Sequence, residues 1–133
     1  MVTIWTNGCF DVLHRGHIEL FKYAKSLGDR LVVGVDDDQR VKNSKGSNRP
    51  INSLEDRMEM LKSIKYIDDV VWFGTDEDLD RKVLFSGAEF IVVGTDYENR
   101  KVIGSRHVKK VKFYRKIDGY STTEILENSV RQC

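Results

Sequence analysis

The sequence predicts an α/β fold, a doubly wound parallel sheet of about five strands with helices on both faces. Three observations lead there. Short apolar runs recur along the chain, most of them are unbroken rather than alternating, and segments with helical spacing separate them. Strands that are apolar on both sides need cover on both sides, which two helical layers provide. At 133 residues the chain reads as one domain, residues 1–133, long enough to bury a core without disulfides or metals.

The elements follow in order. Val2–Thr6 is the first apolar run, and Asn7-Gly8 ends it in a turn. A helix begins near His17, with Leu20, Phe21, Ala24 and Leu27 on one stripe and Gly28 as its C-terminal stop. Leu31–Val35 is the second strand. The polar run Lys42 to Arg49 then carries no apolar anchor, ends at the only proline, Pro50, and reads as a mobile loop. Leu54, Met58 and Leu61 form a second helical stripe, with Asn52 or Ser53 as N-cap and Glu55 or Asp56 behind it. Val70–Phe73 is the third strand, residues 78–86 a third helix, and Phe90–Val93 the fourth strand. Lys110-Val111-Lys112-Phe113 alternates, as an edge strand with one wetter face does. Ser121-Thr122-Thr123-Glu124 has a capping-box pattern and opens a fourth helix through Ile125, Leu126 and Val130.

Composition narrows the function. Lys and Arg total 22 against 21 for Asp and Glu, a formal net charge of +1, so no general attraction draws the chain to nucleic acid or to a membrane surface. No apolar run reaches the length of a membrane span, and residues 1–7 lack a charged n-region followed by an apolar stretch. Two cysteines, Cys9 and Cys133, make a poor disulfide framework and read as free thiols. A cytoplasmic protein without membrane insertion is expected.

One regularity locates the site. A small or polar cluster follows every strand: Asn7-Gly8, Asp36-Asp37-Asp38, Gly74-Thr75-Asp76, Gly94-Thr95-Asp96 and Arg115-Lys116. In a parallel sheet all of them fall on the carboxyl edge, where open α/β sheets bind ligands.

The densest chemistry lies in Gly8 to His17, where the first strand hands over to the first helix. A helix N-terminus offers unpaired N–H groups and the positive end of a dipole, which suit phosphate. His14 and His17, three apart with Gly16 between them, can face one ligand there and hydrogen-bond phosphate oxygens whose charge grows during reaction. Surface histidines and half of a zinc site are the competing explanations. The second needs more ligands, and His107 is the only other histidine. No Gly-x-x-x-x-Gly-Lys-Ser/Thr and no Gly-x-Gly-x-x-Gly occurs, which argues against a P-loop phosphotransferase and a dinucleotide enzyme.

The other candidates are cations and caps. Lys42, Lys45 and Arg49 gather positive charge on the expected loop, either as a solvated run or as a lid over phosphates. Arg57 borders an apolar stripe, where a guanidinium can snorkel outward or reach inward to phosphate. Asp11 either orients a ligand group or hydrogen-bonds its own turn. Ser121, Thr122 and Thr123 can cap a helix and present donors to an anion at once.

Together these residues resemble the cytidylyltransferase-like nucleotidyltransferases. His14-Arg15-Gly16-His17 looks like the family's His-x-Gly-His signature, and Tyr120-Ser121-Thr122-Thr123-Glu124-Ile125 like its Ile-Ser-Thr-Thr-x-Ile signature. The likeness runs from residue 2 to about 127. Thr6 to Asp11, Lys45-Gly46, Arg49-Pro50-Ile51-Asn52, Glu55-Asp56-Arg57-Met58 and Gly94-Thr95-Asp96-Tyr97 are similar to the adenylyltransferase part of ADP-heptose synthases. The compact length is more like the glycerol-3-phosphate cytidylyltransferases. Val93 stands where the heptose enzymes usually carry Lys, and Arg115 sits one place from the Arg of the glycerol enzymes.

The resemblance implies a Rossmann-like fold, a homodimer, and transfer of a nucleotide from ATP or CTP, as its Mg²⁺ complex, to a small sugar or polyol phosphate. It implies catalytic roles for His14, His17 and Lys45. Nucleotide contacts would fall at Gly8, Cys9, Phe10, Gly16, Lys42, Gly94, Asp96, Arg115, Ser121, Thr122 and Thr123, and substrate-phosphate contacts at Arg57 and Asp11. No metal is expected to be held by protein ligands. A catalytically silent nucleotide-binding module is the non-enzyme alternative.

Overall fold

The computed structural model describes residues 1–95 and 99–115. Five parallel strands, β1 (Thr3–Gly8), β2 (Arg30–Asp36), β3 (Asp69–Phe73), β4 (Phe90–Gly94) and β5 (Lys110–Tyr114), form one sheet in the order β3-β2-β1-β4-β5. Among the described residues four α-helices, α1 (Arg15–Ser26), α2 (Asp38–Lys45), α3 (Leu54–Lys62) and α4 (Asp76–Ser86), connect the first four strands, and a 3-10 turn at Ser105–His107 precedes β5. Strand order reverses between β1 and β4, so the crevice at the carboxyl ends of these two strands is the topological switch point.

Alternation along the strands builds two cores. On one face Ile4, Leu31, Val33, Val35 and Val92 meet Phe21 and Ala24 of α1 and Leu61 of α3. On the other, Trp5, Val32, Phe73 and Ile91 meet Leu79 and Val83 of α4. Neighbours along a strand point to opposite faces, and both faces are covered, as the unbroken apolar runs require. The predicted stripe of α1 holds, with Leu20 and Leu27 packed against the buried pair. On α3, Leu54 and Met58 flank the buried Leu61.

Caps set the helix starts. Asp37 accepts from Arg40 N at α2, Ser53 from Asp56 N at α3 and Thr75 from Asp78 N at α4, each satisfying an orphan donor. Gly87, at φ 70°, ends α4 in the left-handed region open to glycine.

One expectation gives way here, and another holds for a different reason. Residues 42–45 are not loop but the last turn of α2, which Asp37 starts and the fully buried Val41 anchors. The polar run holds no apolar residue of its own, and the valine just before it is the one side chain that docks the helix. Gly28 does stand directly after the C-cap Leu27 and donates its N–H to the Lys25 carbonyl, though without a left-handed conformation. It is small because a Cβ there would lie 2.6 Å from the Val2 carbonyl oxygen.

The ladder between β1 and β2 runs through six residue pairs, whereas β1 and β4 pair only at Ile4–Phe90 and Trp5–Ile91. Beyond Trp5 the two strands part, and the Thr6 hydroxyl bridges them by donating to the Val92 carbonyl at 2.8 Å. The parting opens the sheet at its switch point.

Gly34 on β2 faces the widest side chain of the core. A Cβ there would sit 2.4 Å from Trp5 Cζ2 and 3.1 Å from Phe73 Cε1, two rigid and fully buried rings. Gly34→Ala is therefore expected to destabilise the domain by about 1–3 kcal/mol. Urea unfolding checks this, and an unchanged midpoint would contradict it.

Candidate active site

A cleft of about 800 Å³ opens at the switch point. Its floor is the end of β1 and the turn after it, from Thr6 to Asp11, with Val93 and Gly94 of β4 beside it. One wall carries His17 and Leu20 of α1. A second carries Arg40, Asn43, Ser44 and Lys45 of α2 with Arg49, and a third carries residues 100–103. The carboxyl-edge placement expected from the strand-end clusters is thus observed.

The β1–α1 turn is held in a costly conformation. Phe10 has φ 49°, a value that residues with a Cβ adopt at a penalty of about 1–3 kcal/mol. In return its ring is buried, edge-on to Phe21 at 5.1 Å and to His17 at 5.6 Å. Gly8 lies beneath it, where a Cβ would come 3.1 Å from the tip of the Phe10 ring and press the ring outward by a few tenths of an ångström. The packed phenyl fixes the side from which His17 enters the cleft.

The two histidines start α1 themselves. His14 is the N-cap, and its Nδ1 accepts from Gly16 N at 3.0 Å. The Nδ1 of His17 accepts from His14 N at 3.2 Å. Each imidazole thus uses the Nδ1 lone pair for the helix and carries its proton on Nε2. The rings lie 3.9 Å apart at 31°. His17 lines the cleft; His14 reaches the site as the ring stacked on it.

Arg57 and Asp11, expected at a substrate phosphate, are committed elsewhere. Arg57 is fully buried; it donates to the carbonyls of Asn52, Cys9 and Asp36 and to Asp38 Oδ1, at 2.7–3.0 Å. It ties three carboxyl-edge segments together and is not among the residues lining the cleft. Asp11 does border the cleft, but its carboxylate accepts from Arg49 Nε and the backbone N–H groups of Ile51 and Asn52. Burial pushes its carboxyl up, yet these three donors outweigh that and hold it below the usual carboxylate range. Two like charges repel, so a buried carboxylate with occupied oxygens is a brace for the loop and not a phosphate contact. Polar spacing cannot distinguish an arginine reaching into a cleft from one reaching into backbone carbonyls.

Of the two lysines, Lys45 lines the cleft, while Lys42 donates to the Arg49 carbonyl at 3.3 Å. Gly94 is on the floor. Arg115 follows β5, exposed and outside the cleft lining. Asp96 and Ser121, Thr122 and Thr123, with the fourth helix, lie outside the described residues.

Arg40, Arg100 and Lys101 also line the cleft and were not anticipated. Arg40 is paired with Asp36 and Asp76 and lies over the Phe73 ring, so it braces α2. Arg100-Lys101 follows the fourth strand as Lys42 to Lys45 follow the second, and that parallel was the available signal. The segment is stapled by Asp80 of α4, which accepts from Arg106 at 2.7 Å and meets His107 Nε2 at 3.0 Å. These bonds hold the Asp80 carboxyl down at about 2.

Among the described residues no group of three or more His, Cys, Asp or Glu side chains could hold a metal ion, and no helix is long and apolar enough to cross a membrane.

Comparison with known proteins agrees with this geometry. A family model described as cytidylyltransferase-like matches residues 5–128. The bifunctional protein HldE of a Marinomonas species is 46% identical over 131 residues, and that of Campylobacter fetus 45% over 123, covering 95% and 92% of this chain. The chain spans only 27% of the length of each. Among solved structures, a lipopolysaccharide core biosynthesis protein from Thermoplasma volcanium superposes with a TM-score of 0.73 at 30% identity, covering 89% of this chain and 99% of that one. A protein of unknown function from Archaeoglobus fulgidus shares the fold, with a TM-score of 0.69 at 17% identity.

Cys9 shows how the floor is tuned. Burial first, then the Asp36 carboxylate, push its thiol up to about 11 from 9.0, against Lys45 and Arg57. The thiolate fraction near neutral pH is then about 100-fold below that of an unperturbed thiol. Iodoacetamide labelling of Cys9 at pH 8, resolved from Cys133 by peptide mass mapping, should be slower by about that factor and accelerate as the pH rises toward 11. Labelling at the free-thiol rate would contradict the assignment.

Proposed function

The chain belongs to the cytidylyltransferase-like family, and from that premise we propose that it joins a nucleoside triphosphate, ATP or CTP, to a small sugar or polyol phosphate. The products are a nucleotide-activated sugar or polyol and pyrophosphate. The observation that carries this is the reciprocal cap of His14 and His17, a stacked imidazole pair at a helix N-terminus beside a cleft at the sheet's switch point. The adenylyltransferase reaction of ADP-heptose synthases is favoured, because relatives 46% and 45% identical over nearly all of this chain bear the HldE name.

The chemistry asks little of acids and bases. A phosphate monoester has its second pKa at ~6 and is ionised at neutral pH, so its oxygen attacks the α-phosphorus without a general base. The P–O bond to the β-phosphate breaks and pyrophosphate leaves. The protein's task is to align two polyanions and to stabilise charge on the α-phosphate oxygens. The Nε2–H groups of His14 and His17 and the α1 N-terminus supply donors there, and Lys45 supplies positive charge to the triphosphate. Mg²⁺ would arrive on the triphosphate oxygens and screen their charge.

Pyrophosphate release, measured with ATP or CTP against a panel of sugar and polyol phosphates that includes glycerol 3-phosphate, tests the proposal. Replacement of His14 or His17 by Ala should lower kcat by about 10²-fold or more with a smaller change in nucleotide affinity. Wild-type turnover in both variants would remove the histidines from the mechanism. A panel with no turnover while nucleotide binds would instead indicate a silent binding module.

We further propose a homodimer. Trp72 and Phe85 are 47% and 73% exposed, while Trp5 and Phe73 are fully buried, so part of the aromatic surface lacks cover within one chain. A two-fold interface would use the same patch on both copies. Light scattering at micromolar concentration should give twice the chain mass; a monomer mass with full activity would overturn this.

A further inference from the structure

Arg49 is a buried cation with an incomplete set of partners. It is 8% exposed, and its backbone is pinned at both polar groups, N–H to Gly46 and carbonyl to Lys42. Its Nε donates to Asp11 Oδ2 at 2.9 Å. Among the described residues that is the guanidinium's only hydrogen bond or ion pair. Among the described residues no buried side-chain nitrogen is left without a partner, so the two terminal amino groups are not sealed in protein. Arg49 lines the cleft, and those groups reach its surface there.

Such a guanidinium is already oriented. Asp11 is braced by the Ile51 and Asn52 N–H groups, and Asn52 Nδ2 returns a bond to the Asp11 carbonyl, so the carboxylate cannot swing. A planar fork held at Nε keeps its far edge free for a second, bidentate acceptor. The arrangement contrasts with Arg57, whose guanidinium is spent on carbonyls and Asp38.

We propose that Arg49 binds a phosphate group of a substrate in the cleft through its two terminal amino groups, with Asp11 as the positioning residue that aims them. The identity of the ligand rests on the nucleotidyltransferase assignment above; the geometry does not. The phosphate belongs either to the acceptor monoester or to the triphosphate, and the same fork fits both.

Calorimetric titration of the full chain with ATP, CTP, inorganic pyrophosphate and glycerol 3-phosphate tests this without turnover. Arg49→Lys keeps the charge and the pairing with Asp11 but has no fork left over. It should weaken at least one probe by about tenfold or more, with an unchanged melting temperature. Loss confined to glycerol 3-phosphate assigns the acceptor phosphate; loss confined to the other three assigns the triphosphate; loss for all four supports a site shared by both. The double variant D11N/R49Q removes both charges together, leaves no unpaired buried carboxylate and should show the same loss if R49K is unstable. Affinities unchanged for every probe in a folded variant would overturn the proposal and leave the nucleotidyltransferase assignment intact. Arg49-dependent binding of glycerol 3-phosphate by a wild type that ignores all nucleotides would do the reverse. Wild-type protein that binds none of the four would overturn both.

Discussion

The carboxyl edge of this domain depends on one guanidinium. Arg57 is a full charge at zero exposure, and its ionic partner Asp38 is itself 46% exposed at the side chain. Burying a cation costs several kcal/mol unless its donors are met. Here the carbonyls of Cys9, Asp36 and Asn52 meet them, and these come from the β1–α1 turn, the end of β2 and the approach to α3. The ends of two paired strands and the approach to α3, which pairs with neither, are thereby fixed to one rigid plane. The Phe10 conformation, the His17 entry angle and the Asp11 brace are all built on a turn that this plane holds in place.

Much of this was legible in the sequence, and the reasons differ by level. Four strands and the two-sided cover follow from unbroken apolar runs, which burial on both faces imposes, and the fifth, at the sheet edge, follows from alternation. The helix N-caps at Ser53 and the site at the strand ends follow from local chemistry and from parallel topology. What sequence could not separate was the fate of each polar side chain. Arg57 and Arg49 sit eight residues apart, and for both the sequence allowed a reach toward phosphate, yet one is consumed by backbone and the other keeps an open edge. That distinction is made by loops meeting across the sheet edge, and no periodicity encodes it. The polar run at residues 42–45 failed for a smaller reason, since a single buried valine sufficed to make it helix.

The sheet also shows how a closed core and an open site coexist. Where β1 and β2 run together for six pairs the interior is sealed; where β1 and β4 stop after two, the backbone turns toward the cleft. The Thr6 hydroxyl spans the gap to the Val92 carbonyl, so the parting does not leave that acceptor bare. A ligand cleft here is an early end to strand pairing, made tolerable by one side-chain bond.

Because His14 and His17 lend their Nδ1 lone pairs to the first turn of α1, the site and the helix start are one object. Helix ends open and close far more often than whole domains unfold. Each such opening would release both rings at once, even while the sheet beneath stays intact. The working lifetime of the site on warming is then set by the fraying of a single turn, and it would be lost at temperatures where the core still reads as folded.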